Sequence, residues 1–340
     1  MSLTRRAFLK TSSLAVCSFA GLLSAHTLSS CKGTASVSQE ETIEETLFLF
    51  DTLVSLQASC SQELMDQATA RCEYFDSIFS RTKEGSDVWR INHAQGQAVE
   101  VERETAECIQ ASLEYSRISH GAFDITIGAV SELWDFTEGI KPDNDAIQAA
   151  LSHINFEGIQ VDETTVQLSD PDAKIDLGAL AKGYICDDIA QLLRDGDCQS
   201  ACINLGGNVY VLGSKPDGSP WTIGVQDPNG QEKKDLIART EAEDMSAVTS
   251  GLYERYFEED GVRYYHILDP KTGYPVQTDI LSDSVLSEHS LDADAFSTIL
   301  FLLGSEEGMT LLEEHPELSG LIEKDDESIE LSSNSPFILV

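Results

Sequence analysis

His266-Ile-Leu-Asp-Pro-Lys-Thr-Gly-Tyr-Pro275 and, further along, Asp292-Ala-Asp-Ala-Phe-Ser-Thr298 hold residue types suited to a cation and a phosphate. Asp-Pro and Thr-Gly turn the chain sharply after a Tyr-rich strand, which sets His266 and several backbone groups at the mouth of a cleft. Asp294 and Thr298 are spaced i, i+4 at a helix start, so a carboxylate and a hydroxyl share one face within reach of a single hard cation. A third stretch, Asp176-Leu-Gly-Ala-Leu-Ala-Lys-Gly-Tyr184, lies where a strand gives way to a helix. Helix-start N–H groups, glycines that permit close approach and the charge of Lys182 make a cradle for a pyrophosphate. It has neither the Walker spacing nor GxGxxG. Chemistry at a pyrophosphate needs charge neutralised on oxygen and a hydroxyl placed in line. His266, with an unperturbed pKa of about 6.5, or Asp294 would accept the proton, and the sequence leaves that choice open.

The elements that must position these residues follow from apolar periodicity. Thr46 to Gln57 reads as one strand, and Ser61 to Ser80 as a helix burying Leu64, Ala68, Cys72, Phe75 and Ile78. Further helices are expected from Glu102 to Ser119 and behind Asp143, then strands at Gly158 to Leu168 and Ala173 to Asp176. Gly178 to Leu193 reads as helix, and Ala201 to Leu212 and Trp221 to Asp227 as strands. Tyr253 to Asp269 reads as a hairpin turned at Glu259-Asp260-Gly261. A helical pair from Asp292 to Glu314 and a last hairpin, Gly320 to Leu339, close the chain. Strands in meanders with interspersed helices predict an α+β fold of mainly antiparallel sheets with flanking helices.

Residues 1–30 read as an export signal: Arg5-Arg6 precedes an apolar run too short to span a membrane comfortably. The run ends at Leu28-Ser29-Ser30-Cys31, a tetrad similar to a bacterial lipobox, in which Cys31 is acylated. Residues 31–45 then form a polar tether, and residues 46–340 the catalytic domain, held outside the cell membrane by lipid. The whole chain carries a net charge of −37, and loss of the signal leaves 19 Lys and Arg against 59 Asp and Glu, a net charge of −40. That balance argues against nucleic-acid binding. The six cysteines after Cys31 include no CxxC pair, which argues against zinc, and several lie on apolar helix faces as buried thiols.

The order of Ala122-Phe-Asp-Ile-Thr-Ile-Gly128, Asp176 to Tyr184, Asn204-Leu-Gly-Gly207, Ser250-Gly-Leu-Tyr-Glu-Arg255, His266 to Pro275 and Ala293-Asp-Ala-Phe-Ser-Thr298 resembles the ApbE family of FAD:protein FMN transferases. The resemblance implies Mg2+-dependent transfer of FMN from FAD to a Thr or Ser hydroxyl in a Gly-Ala-Thr-type segment of an exported redox protein, with release of AMP. It implies Mg2+ held by Asp294, Thr298, Ser297 and the carbonyl of Ala179. FAD would be held by Phe50, Thr82, Ala122, Phe123, Asp124, Asp176, Lys182 and the backbone near Ile267, and His266 takes the place of the family's active-site histidine. The chain departs from the pattern at Phe50-Asp51-Thr52, where apolar-Gly-Thr is usual, at Ile125 and at Leu252. An FAD pyrophosphatase with water as nucleophile, or a non-catalytic flavin-binding lipoprotein, would share much of this set.

Overall fold

The computed structural model describes residues 42–230, 235–253 and 255–340; the export signal, Cys31 and most of the tether lie outside the described residues. The helices are α1 (Gln62–Phe79), α2 (Asp87–Asn92), α3 (Arg103–Ile118), α4 (Gly128–Ser131), α5 (Asn144–Leu151), α6 (Ala181–Asp195), α7 (Ser290–Leu303) and α8 (Ser305–Glu313). The strands are β1 (Thr42–Leu49), β2 (Thr52–Ser59), β3 (Val99–Glu100), β4 (Ile159–Asp162), β5 (Thr165–Leu168), β6 (Ser200–Leu205), β7 (Asn208–Gly213) and β8 (Trp221–Gln226). They continue with β9 (Leu236–Ala242), β10 (Met245–Gly251), β11 (Tyr256–Glu259), β12 (Val262–Tyr265), β13 (Ile280–Ser287), β14 (Ser319–Lys324), β15 (Ile329–Leu331) and β16 (Ile338–Leu339).

An eight-stranded antiparallel sheet in the order β1-β2-β6-β7-β10-β13-β14-β15 organises the chain. Its central strands are apolar on both faces. Ile203, Leu205, Tyr210, Leu212, Val248 and Val285 join the core built with α1, α6 and α7. Their neighbours Cys202, Val209, Val211, Ala247 and Leu286 face a second core shared with β8 and β9. Smaller sheets, β16-β9-β8, β3-β5-β4 and β11-β12, complete the α+β fold expected from the sequence. No helix among the described residues is long and apolar enough to cross a membrane. All six described cysteines are buried.

Local chemistry corrects several expectations. Thr46 to Gln57 is a hairpin rather than one strand: Phe50 and Asp51 both take positive φ, 54° and 57°, the left-handed pair that a two-residue hairpin turn requires. The strain at Phe50 is held in place by its N–H, which donates to Asp76 Oδ1 at 3.1 Å. Thr42 to Glu45, expected in the tether, belong to β1. Ala201 to Leu212 likewise folds back on itself, with Gly206 and Gly207 supplying the positive φ at the tip of β6–β7. Gly158 to Leu168 splits into β4 and β5, and Ala173 to Asp176 forms only a bridge from Lys174 to Ile127, its backbone held at Ile175 by the Asn92 amide. The helix expected from Gly178 starts at Ala181. The final hairpin is β14–β15 alone, because β16 crosses to pair with β9. β9, β10 and β13 have no counterpart in the sequence reading. In β13, Ser282, Asp283 and Ser284 break the apolar run although all three are buried.

Candidate active site

The site is built where α6 meets α7. Asp294 is 3 % exposed, and its Oδ2 accepts the Gly183 N–H at 2.8 Å while Lys182 Nζ donates to Oδ1 at 3.2 Å. One turn along α7, the Thr298 hydroxyl donates to the carbonyl of Ala179 at 3.4 Å. The carboxylate therefore serves the N-terminal turn of α6 at Gly183, while Ala181 and Tyr184 N–H donate to the Leu177 and Leu180 carbonyls; the helix has no side-chain cap from its own N-cap residue. Asp187 holds the other helix by accepting from Ser290 N at 2.7 Å and Leu291 N at 2.9 Å. Burial pushes Asp187 up to about 6, against the pull of those two donors.

The two helices can approach this closely because residue 183 is glycine. A Cβ there would lie 2.4 Å from the Ser290 carbonyl oxygen and 2.7 Å from Leu291 Cα, both backbone atoms. Gly183→Ala is therefore expected to cost about 1–3 kcal/mol through overpacking and to displace Lys182 from Asp294. Equal denaturation midpoints for Gly183→Ala and the unchanged protein would contradict this packing account.

Ser297, on the same helix, is fully buried, and its hydroxyl is hydrogen-bonded to Asp283 Oδ1 at 2.8 Å, as donor, and to Ser250 Oγ at 2.5 Å. Its side chain is thus committed to β10 and β13 rather than to the Asp294 set. Asp294, Thr298 and Ala179 offer a carboxylate, a hydroxyl and a carbonyl, hard oxygen donors that fit Mg2+.

His266 follows β12, its N–H donating to the Arg255 carbonyl at 3.1 Å. Arg255 Nη2 in turn donates to the Asp51 carbonyl at 2.9 Å, tying the β1–β2 turn to the histidine segment. The residue is half-buried, and its Nδ1 is sealed with no hydrogen-bond partner among the described residues. Burial, then the charges of Arg255 and Lys182, push the imidazole down to about 4, with Asp176 acting in the opposite sense. His266, Lys182 and Asp176 thus share one electrostatic neighbourhood, and the histidine is neutral at pH 7. Asp176 Oδ2 accepts from Ser131 Oγ at 2.9 Å and pairs with Arg81 Nε at 3.2 Å, while its Oδ1 accepts from Gly178 N at 2.9 Å.

The family model described as ApbE family matches residues 50–322. The chain belongs to the ApbE family. A FAD:protein FMN transferase of Treponema pallidum is 34% identical over 325 residues, 89% of this chain and 90% of the relative. Another, from Klebsiella pneumoniae, is 39% identical over 264 residues, 76% of this chain and 81% of the relative. The crystal structure of the ApbE protein of Thermotoga maritima superposes with a TM-score of 0.79 at 33% identity, covering 86% of this chain and 97% of that one.

The remaining ApbE-type positions fall into two groups. Ala122, Phe123 and Asp124 are buried, and Phe123 packs edge-on to Tyr115 with ring centres 6.3 Å apart. Both oxygens of Asp124 are taken up, Oδ1 by the Thr126 N–H and hydroxyl at 2.8 and 2.6 Å, Oδ2 by Phe156 N at 3.0 Å. This carboxylate shapes the loop, and a ligand contact at 122–124 would come from backbone. Thr82 is exposed, Phe50 half-buried and Ile267 buried, its carbonyl accepting from Val276 N at 3.0 Å. The Asp51 departure from the ApbE pattern is absorbed locally: the residue is exposed at a hairpin tip whose φ glycine adopts without strain. Sequence reading missed Asp187, Arg255, Arg81 and Ser131, which orient the site from other elements. Of these, Arg255 alone lies within one of the ordered motifs. A cavity of about 1000 Å³ lined by Asp279, Ser305, Glu306, Lys324 and neighbours shares no residue with this site.

Proposed function

We propose that this chain, a flavin transferase by family, is a Mg2+-dependent FAD:protein FMN transferase that acts on a Thr or Ser hydroxyl of an exported protein. The observation that carries the reading is the Lys182–Asp294–Gly183 constellation, with Thr298 and Ala179 beside it and the neutral His266 in the same electrostatic neighbourhood. Asp294, Thr298 and the Ala179 carbonyl would hold Mg2+, which when bound neutralises charge on phosphate oxygens. Lys182 adds a positive charge for the pyrophosphate, at the positive end of the α6 dipole.

In the transfer, the acceptor hydroxyl oxygen forms a bond to the phosphorus of the FMN half, and the bond from that phosphorus to the AMP oxygen breaks. The hydroxyl proton goes to a protein base. His266 suits this role because it is neutral and can take a proton, whereas Asp294 is occupied by Lys182 and Gly183. Incubation with FAD, Mg2+ and a candidate acceptor carrying a Gly-Ala-Thr segment tests the proposal. Fluorescent acceptor after denaturation, with AMP in equal amount, is the expected result. FMN and AMP without labelled acceptor would instead favour the pyrophosphatase.

The proposed setting is outside the cell, on the membrane, through a lipid on Cys31. Two or more acyl chains hold a protein firmly where one does so only marginally, so Cys31→Ser is expected to move the protein to the soluble extracytoplasmic fraction with its activity unchanged. Retention of that variant in the membrane pellet would overturn the lipid anchor.

A further inference from the structure

We propose that His153, Asp170 and Asp172 form a second metal site, separate from the Asp294 constellation and suited to a borderline divalent cation such as Zn2+, Co2+ or Ni2+. Each of the three offers a ligand atom, and these atoms lie within 4.8 Å of one another. Small side-chain rotations bring such a set around one ion at metal–ligand distances of about 2.0–2.2 Å. His153 Nδ1 and Asp170 Oδ2 are already 2.8 Å apart.

The donor set decides the kind of ion. An imidazole nitrogen with two carboxylates favours Zn2+ and its transition-metal neighbours, whereas the all-oxygen set at Asp294 favours Mg2+. The strongly acidic chain further raises the local concentration of cations.

The place of the cluster gives the ion something to do. His153 ends the segment after α5, where its N–H donates to the Ala150 carbonyl, and Asp170 and Asp172 lie in the turn that follows β5. Just beyond His153, Asn155 N donates to Thr126 Oγ1 and Phe156 N to Asp124 Oδ2, which fixes the 122–126 loop. Just beyond Asp172 the chain runs through Ile175, held by Asn92, to Asp176. An ion bridging His153 to Asp170 and Asp172 would therefore pin together two segments that frame the candidate active site, outside the site itself.

The test is Zn2+ titration of the purified protein by calorimetry and thermal melting, in excess Mg2+ so that oxygen-only sites are filled. One equivalent of Zn2+ is expected to bind and to raise the melting temperature. His153→Gln and Asp172→Asn are each expected to weaken that binding by at least about tenfold, since even residues behind a metal ligand alter affinity by 10–100-fold. The Asp172 carboxylate makes no hydrogen bond among the described residues, so Asp172→Asn leaves the metal-free melting temperature unchanged and separates ligation from folding. Equal Zn2+ binding in all three proteins, marking diffuse attraction to the acidic surface, would overturn the proposal. So would the absence of stoichiometric binding in the unchanged chain.

Discussion

Asp294→Asn is expected to lower Mg2+-dependent flavin transfer by about three orders of magnitude, roughly 4 kcal/mol, while the protein stays folded. The asparagine keeps a carbonyl oxygen for the Gly183 N–H, so the start of α6 remains satisfied. What it removes is the negative charge, the one carboxylate in a set otherwise made of a hydroxyl and a carbonyl. Asp294→Ala should lose the same activity and, in addition, about 1–3 kcal/mol of stability, because the Gly183 N–H then loses its partner in a buried place. The comparison separates the two jobs of this side chain. Activity across a Mg2+ titration and denaturation midpoints measure them, and normal turnover by Asp294→Asn at limiting Mg2+ would remove Asp294 from the metal site.

His266→Ala is expected to slow transfer by about 10²- to 10⁴-fold, the usual contribution of a positioned proton acceptor. The pH dependence distinguishes this role from packing. With the imidazole pushed down to about 4 by burial and by Arg255 and Lys182, the acid limb of kcat/KM should fall near pH 4 rather than near 6.5. The histidine variant should lose that limb. Stability follows the same shift: above the unfolded pKa of about 6.5 the histidine is neutral in both states and contributes nothing. As pH falls from there toward 4, the unfolded chain takes up a proton that the folded site refuses, so stability declines. His266→Ala should flatten that decline. An acid limb unchanged in the variant would assign the proton to another group, with Asp294 the next candidate.

The helices were legible because their signals are local. Ser61 caps α1 by accepting from Leu64 N, and Leu64, Ala68, Cys72, Phe75 and Ile78 recur at helical spacing on its buried face. The hairpin β11–β12 was equally readable, since Asp260 and Gly261 both adopt the positive φ that their residue types favour. Strands in the large sheet were harder. β6 and β7 are buried on both faces, so they lack alternation, and the Gly206-Gly207 break inside one apolar run passed for part of a strand. β13 hides its nature for the opposite reason, as its buried serines and Asp283 find partners in β10, β14 and α7. The Phe50-Asp51 turn carries no glycine or asparagine to announce it.

By itself the sequence determined which chemistry was at hand: a carboxylate and hydroxyl at helical spacing, a glycine- and lysine-bearing helix start, a histidine beside a turn, and an ordered set of motifs. Those are properties of residue type and short separation, which survive without knowledge of the fold. Only the tertiary structure decided how the parts meet. Asp294 and Gly183 stand 111 residues apart in sequence yet share a 2.8 Å hydrogen bond, because a glycine lets two helices touch. The structure also turned Asp124 and the Ser297 hydroxyl inward to other partners, and set His266 where burial and two cations keep it neutral. Such outcomes depend on desolvation and on charges contributed by distant elements, and neither quantity exists until the chain has packed.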